Sequence, residues 1–141
     1  MIKLFYLLVL WAGVGPLVPE WGTMDQPRSF ELTFQKAIIL ANNRVGHDWE
    51  HSIYFEDKVL EVGESLVLSL PKKEALRLVL QSIETDRQQS DIGERTIEIS
   101  YQELLQNELN TFRREIIVIE AGGANDGNVA RIQFRFSVRQ R

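Results

Sequence analysis

Along much of this chain, apolar side chains fall on every second position. Phe30, Leu32 and Phe34 alternate with Glu31, Thr33 and Gln35, and the run continues to Leu40. Trp49, His51, Ile53 and Phe55 alternate with Glu50, Ser52, Tyr54 and Glu56. Leu66, Leu68 and Leu70 repeat the pattern, as do Leu76, Leu78 and Leu80, with Ser82 next on the same face. Period two belongs to a strand with one buried face, because successive side chains leave opposite sides of the pleat. Val59 and Leu60, residues 96–99, and the alternation of Ile132, Phe134, Phe136 and Val138 add further strands. Ile116, Ile117, Val118 and Ile119 are apolar without interruption, which predicts a strand with both faces buried or nearly so. Turn signals at Gly63, Pro71-Lys72-Lys73, Gly122-Gly123 and Asn125-Asp126-Gly127 separate these segments.

One segment, residues 101–109, has helical rather than strand spacing. Leu105 and Leu109 share a face with Tyr101, Ser100 is placed to cap the N-terminus, and Glu103 at the third helical position completes a capping box. About eight short strands with frequent turns predict an all-β protein, an antiparallel β-sandwich whose inner faces come from the alternating apolar positions.

The chain has 141 residues, enough for one domain with a substantial core. Its 44% hydrophobic and 26% charged content is that of a globular fold. A formal net charge of −4 argues against a nucleic-acid binder. With no cysteine there are no disulfides, no thiolate zinc site and no thiol catalysis. Near the N-terminus, Lys3 precedes an apolar run from Leu4 to Val14. That run has the length of a secretory leader and is too short for a typical span of about 20 residues. Gly13 and Gly15 are small enough for a cleavage site, although Pro16 disfavours a cut directly after Gly15. An uncleaved anchor or a buried element of the domain are the alternatives. Pro16, Pro19, Gly22 and Pro27 mark a linker. The expected organisation is a leader over residues 1–15, a linker over 16–28 and a sandwich over 29–141, in an exported protein.

Candidate chemistry concentrates in residues 84–93. Glu84 and Asp86 leave the end of an apolar strand two positions apart, and Asp91 follows a short polar loop just before Gly93. Clustered acids repel unless water separates them or a cation joins them. Calcium takes roughly six to eight oxygens, often from carboxylates on separate loops. Asn43 and Asp48, in the upstream run Asn42-Asn43-Arg44-Val45-Gly46-His47-Asp48, supply further oxygens if the two loops face each other.

These residues resemble the calcium loops of a C2 domain. In that family a strand ends in two acids at alternate positions, and a third acid precedes a glycine-led strand; Glu84, Asp86, Asp91 and Gly93 follow that order. Residues 37–48 are similar to the family's first calcium loop, with Asn43 where an Asp is usual, and residues 97–104 are similar to the strand and short helix after the third loop. The resemblance spans residues 29–138 and implies a non-enzymatic, C2-like module with calcium held by Asn43, Asp48, Glu84, Asp86 and Asp91 and calcium-dependent binding to phospholipid. Asn43 and Glu84 both stand where Asp is expected, and the acidic loop is about one residue tighter than the family pattern. Fewer negative charges imply weak calcium affinity, near the millimolar range of extracellular modules.

Three other features compete. His47-Asp48-Trp49-Glu50-His51 spells H-x-x-E-H, a zinc-hydrolase motif that needs a helix. On a strand the two histidines stand about 13 Å apart and cannot share one ion. Arg131, Arg135 and Arg139 share one face of the last strand. They read either as a ridge for anionic lipid, polysaccharide or an acidic protein, or as a solvated face paired with Glu115 or Glu120. Residues 122–128 read as a hairpin turn without a ligand. The alternative to the calcium module is an exported β-sandwich that binds another protein without metal.

Overall fold

The computed structural model describes residues 26–86 and 89–141. The leader and most of the linker lie outside the described residues. Eight strands and one short helix follow in order: β1 (Arg28–Asn42), β2 (Trp49–Phe55), β3 (Lys58–Glu61), β4 (Ser65–Leu70), β5 (Leu76–Thr85), β6 (Ser90–Ile99), α1 (Tyr101–Leu105), β7 (Leu109–Ile119) and β8 (Val129–Gln140). They form two four-stranded antiparallel sheets, ordered β4-β1-β8-β7 and β3-β2-β5-β6. The protein is an all-β sandwich, as the alternation predicts.

The inward faces are those of the sequence pattern. Phe30, Leu32 and Phe34 of β1, Leu76, Leu78 and Leu80 of β5, and Ile132, Phe134, Phe136 and Val138 of β8 are all fully buried. Phe34 stacks on its β8 neighbour Phe134 at 5.2 Å between ring centroids, and Phe112 of β7 stacks on Phe136 at 5.4 Å. Each such side chain contributes about 1.5–3 kcal/mol by leaving water. The core therefore runs across the pairing of β1, β8 and β7.

The helix is shorter than its spacing suggests. Ser100 and Glu103 form the expected capping box, but α1 ends at Leu105 and Leu109 already belongs to β7. Asn110 holds the exit, donating to the carbonyls of Leu104 and Asn107. Tyr101 meets Phe30 edge-on at 6.2 Å, and Leu104 is fully buried. The helix plugs the end of the sandwich opposite the acidic loop.

The expectation that residues 116–119 are buried on both faces is wrong. Ile116 and Val118 are buried, whereas Ile117 and Ile119 are 56% and 57% exposed. β7 is an edge strand, and among the described residues nothing lies over its outer face, so the unbroken apolar run reflects an exposed hydrophobic surface.

The two sheets approach each other closely where β6 meets β7. A Cβ on Gly93 would lie 2.4 Å from the Ile117 carbonyl oxygen and 2.6 Å from a Val118 methyl. The side-chain-free position is what lets the edges meet. Gly93→Ala is therefore expected to force the strands apart and to cost about 1–3 kcal/mol. An unchanged urea midpoint for that variant would contradict this account of the corner.

Candidate functional site

Three strands end their inward faces in a carboxylate at the same end of the sandwich. On β5 the inward series Leu76, Leu78, Leu80, Ser82 continues to Glu84, which is only 2% exposed. On β6 the inward face begins with Asp91, 3% exposed and directly opposite Glu84 across the strand pair. On β7 the series Ile116, Val118 leads to Glu120, immediately past the strand end. Side chains opposite one another on antiparallel strands have Cβ atoms about 5 Å apart, so Glu84 and Asp91 place like charges side by side.

The β1–β2 loop folds over this end. Asn42 braces it, with Oδ1 accepting from the Val45 N–H at 2.9 Å and Nδ2 donating to the Gly46 carbonyl at 2.6 Å. Val45 is buried and anchors the loop in the core. Glu84 Oε1 accepts the His47 N–H at 3.2 Å, and the Thr85 N–H donates to the Asp48 carbonyl at 2.9 Å. Gly46, with φ of 145°, is essential here: a Cβ would fall 1.8 Å from Glu84 Oε1. The β7–β8 loop closes the third side. Asp91 Oδ1 accepts from Ala121 N–H at 3.0 Å, and Asp126 Oδ1 caps the Gly122 N–H at 2.7 Å. Asn125 shares a small cavity with Asn42, Arg44, Gly46 and His47. The acidic loop and the upstream loop do meet.

Among the described residues, two oxygens at this end are buried without a donor: Glu84 Oε2 and Glu120 Oε2. Desolvation raises the pKa of Glu120 above its ordinary value, and the charges of Asp91, Asp86, Glu84 and Asp126 raise it further. Asp86 lies beyond the end of β5 and is exposed, its Oδ1 accepting the Gln89 N–H at 2.7 Å. It thus faces solvent while Glu84 points inward. Asn43 and Asp48 occupy the facing loop with exposed side chains. Among the described residues, no three histidine, aspartate or glutamate side chains stand close enough together to hold a metal ion. The carboxylates share a neighbourhood without forming a ready chelate.

Glu120 and Asp126 did not emerge from the sequence as members of this group. Glu120 is corrected from an outward partner of the β8 arginines to an inward acid. Stepping by two from Ile116 through Val118 reaches it, and that is the signal that marks it. Asp126 carries no such signal, because only the packing of the hairpin loop brings it near.

The remaining candidates lie elsewhere. Arg131 pairs with Glu115 at 2.9 Å and Arg139 with Glu108 at 3.7 Å, while Arg135 Nε donates to Gln133 at 2.8 Å. The H-x-x-E-H run is not helical. His47 sits exposed in the loop, and His51 lies on β2, with Nδ1 2.8 Å from Ser82 Oγ and its ring stacked on Trp49 at 6.2 Å. Burial lowers the His51 pKa, which favours the neutral ring. No model of a known protein family matches the chain, and no curated protein matches it in sequence.

Two predictions follow from this packing. Because the folded protein raises the Glu120 pKa, it binds that proton more readily than the unfolded chain does. This contribution to stability is present below the ordinary value of 4.5 and is lost as pH rises through the raised one. Glu120→Gln should therefore be more stable than wild type at neutral pH, and the difference should shrink on acidification. Melting curves of the two proteins that stay parallel across pH would refute it. Gly46→Ala should lower the melting temperature, and Glu84→Ala should recover part of that loss. A double-mutant cycle should give a coupling of about 0.5 kcal/mol or more, and strict additivity would mean that the glycine and the carboxylate do not meet.

Proposed function

We propose that the protein is an exported, non-enzymatic, C2-like binding module whose loop end takes up calcium and, so loaded, engages an anionic surface such as phospholipid. The observation that carries this reading is the pair of buried, donorless oxygens, Glu84 Oε2 and Glu120 Oε2, in a group of acids. A buried carboxylate oxygen without a donor is costly, and like charges around it add to the cost. Bound calcium supplies two positive charges and accepts roughly six to eight oxygens at about 2.3–2.6 Å.

The chain's residues divide the work. Glu84 and Asp91 are held rigidly by β5 and β6, and each already spends one oxygen on a neighbouring loop's N–H. Their second oxygens remain for a cation. Asp86 approaches from the loop tip, and Asn43 and Asp48 from the facing loop. Because these groups are not gathered beforehand, binding has to draw the loops inward, and that ordering lowers affinity. This agrees with the shortage of Asp residues relative to the C2 pattern. The proposal of export rests on the N-terminal run from Leu4 to Val14 after Lys3.

The second reading is a metal-independent, exported β-sandwich for protein–protein interaction or adhesion. The lack of a ready three-ligand cluster among the described residues favours it. Thermal melts separate the two. With a millimolar site, about 10 mM calcium should stabilise the fold by about 1.4 kcal/mol, a rise of about 5 °C over chelator-treated protein. Asp86→Asn should reduce that rise. No shift in calcium removes the ion from the account and leaves the metal-independent module.

A further inference from the structure

The outer face of the β4-β1-β8-β7 sheet carries a row of like charges. Lys36 of β1 lies directly opposite Arg135 of β8, and Arg135 lies directly opposite Arg113 of β7. The three Cα positions step across the sheet about 5 Å at a time. A β-bulge in β1 between Phe34 and Lys36 creates this alignment, because it resets the register so that Lys36 faces out beside Arg135. Among the described residues, none of the three makes an ion pair. Their neighbours on the same face do: Arg131 with Glu115, Arg139 with Glu108 and Arg141 with Glu31. Unlike charges are thus matched along this face except at one level, where three cations stand abreast. Cross-strand like-charge pairs destabilise a sheet, so the arrangement has no rationale in folding.

The same face exposes aliphatic side chains. Leu109, Ile117 and Ile119 alternate outward along β7 on either side of Arg113, and Val67 on β4 is 59% exposed opposite Glu31. A soluble polyanion calls for cations alone. A bilayer interface calls for cations at the headgroups and aliphatic side chains beside them.

We propose that this sheet face, with Lys36, Arg113 and Arg135 as its central cations, is a metal-independent docking surface for a bilayer containing anionic lipid. The inference shares with the proposed function the idea of an anionic target, but it does not depend on calcium or on the acidic loops. Each cation is expected to strengthen attraction to an anionic leaflet by about fivefold, so three act together at about a hundredfold. The field falls away within a Debye length of about 8 Å, so binding should weaken as salt is raised.

The test is co-sedimentation of the full chain, in chelator, with vesicles of phosphatidylcholine alone and of phosphatidylcholine with phosphatidylserine. Comparing the two subtracts any contribution of the apolar N-terminal run. Wild type should prefer the serine-containing vesicles, and Lys36→Gln/Arg113→Gln/Arg135→Gln should lose that preference by about a hundredfold. Its melting temperature should not fall, because like charges have been removed. A second variant, Arg131→Gln/Arg139→Gln, touches cations already neutralised by glutamates and should keep most of the preference. A preference that appears only with calcium overturns the inference and leaves the proposed function standing. No preference with or without calcium rejects both. Retention of a soluble sulfated polysaccharide without vesicle binding also overturns it, as does an unchanged preference in the triple variant.

Discussion

The period-two geometry of a strand fixes what happens at the loop end of this sandwich. Once Leu76, Leu78 and Leu80 face the core, Ser82 and Glu84 must face the same way. The core therefore does not stop at an apolar boundary. It grades through a hydroxyl, which hydrogen-bonds His51, into a carboxylate with almost no solvent exposure. β6 and β7 end on the same side with Asp91 and Glu120. The loop structure answers this constraint. Gly46 is bare so that Glu84 can reach the His47 N–H, and Ala121 presents its N–H to Asp91. Glu84 and Asp91 each receive one backbone N–H, while among the described residues Glu84 and Glu120 each retain an oxygen that receives none.

Most of the fold was legible because its signals are local. Alternation identified the inward residues of β1, β2, β4, β5 and β8, and Ser100 with Glu103 marked the helix start. The end of the helix was harder to read, since Leu109 fits a helical face and an outward strand position equally well. Tertiary pairing decides it: Leu109 aligns with Arg139 in the β7–β8 ladder. The run Ile116 to Ile119 misled for a related reason. An uninterrupted apolar strand normally means two covered faces, but in this two-sheet sandwich no described element lies over the outer face of β7, which leaves Ile117 and Ile119 exposed.

The acidic group was legible in part. Glu84, Asp86 and Asp91 are close in sequence, so their proximity follows from a single hairpin. Glu120 and Asp126 join them only because Gly93 lets β6 approach β7, a contact between two sheets that no spacing rule contains. The basic row was hidden in the same way. Arg135 belonged to an evident stripe along one strand, whereas its neighbours Lys36 and Arg113, without an ion pair among the described residues, lie across it on β1 and β7. A bulge one residue long decides whether Lys36 stands beside Arg135.

Opposite fields on so small a domain would be expected to cancel, but distance keeps them apart. From Lys36 to the end of β1 at Asn42, from Arg135 back to Ala130, and from Arg113 forward to Glu120, the chain advances roughly 17–23 Å at the rise of a strand. That is two or more Debye lengths at physiological salt, taken as about 8 Å each. The intervening surface is also internally matched, with Arg131 held by Glu115 between the basic row and the acidic end. The net charge of −4 therefore describes neither surface. A cation entering the loop end would change the potential there while leaving the sheet face nearly unaffected, and an anionic target on the sheet face would exert little pull on the buried carboxylates. The two surfaces are physically independent, which is why a charge change at one can be read without disturbing the other.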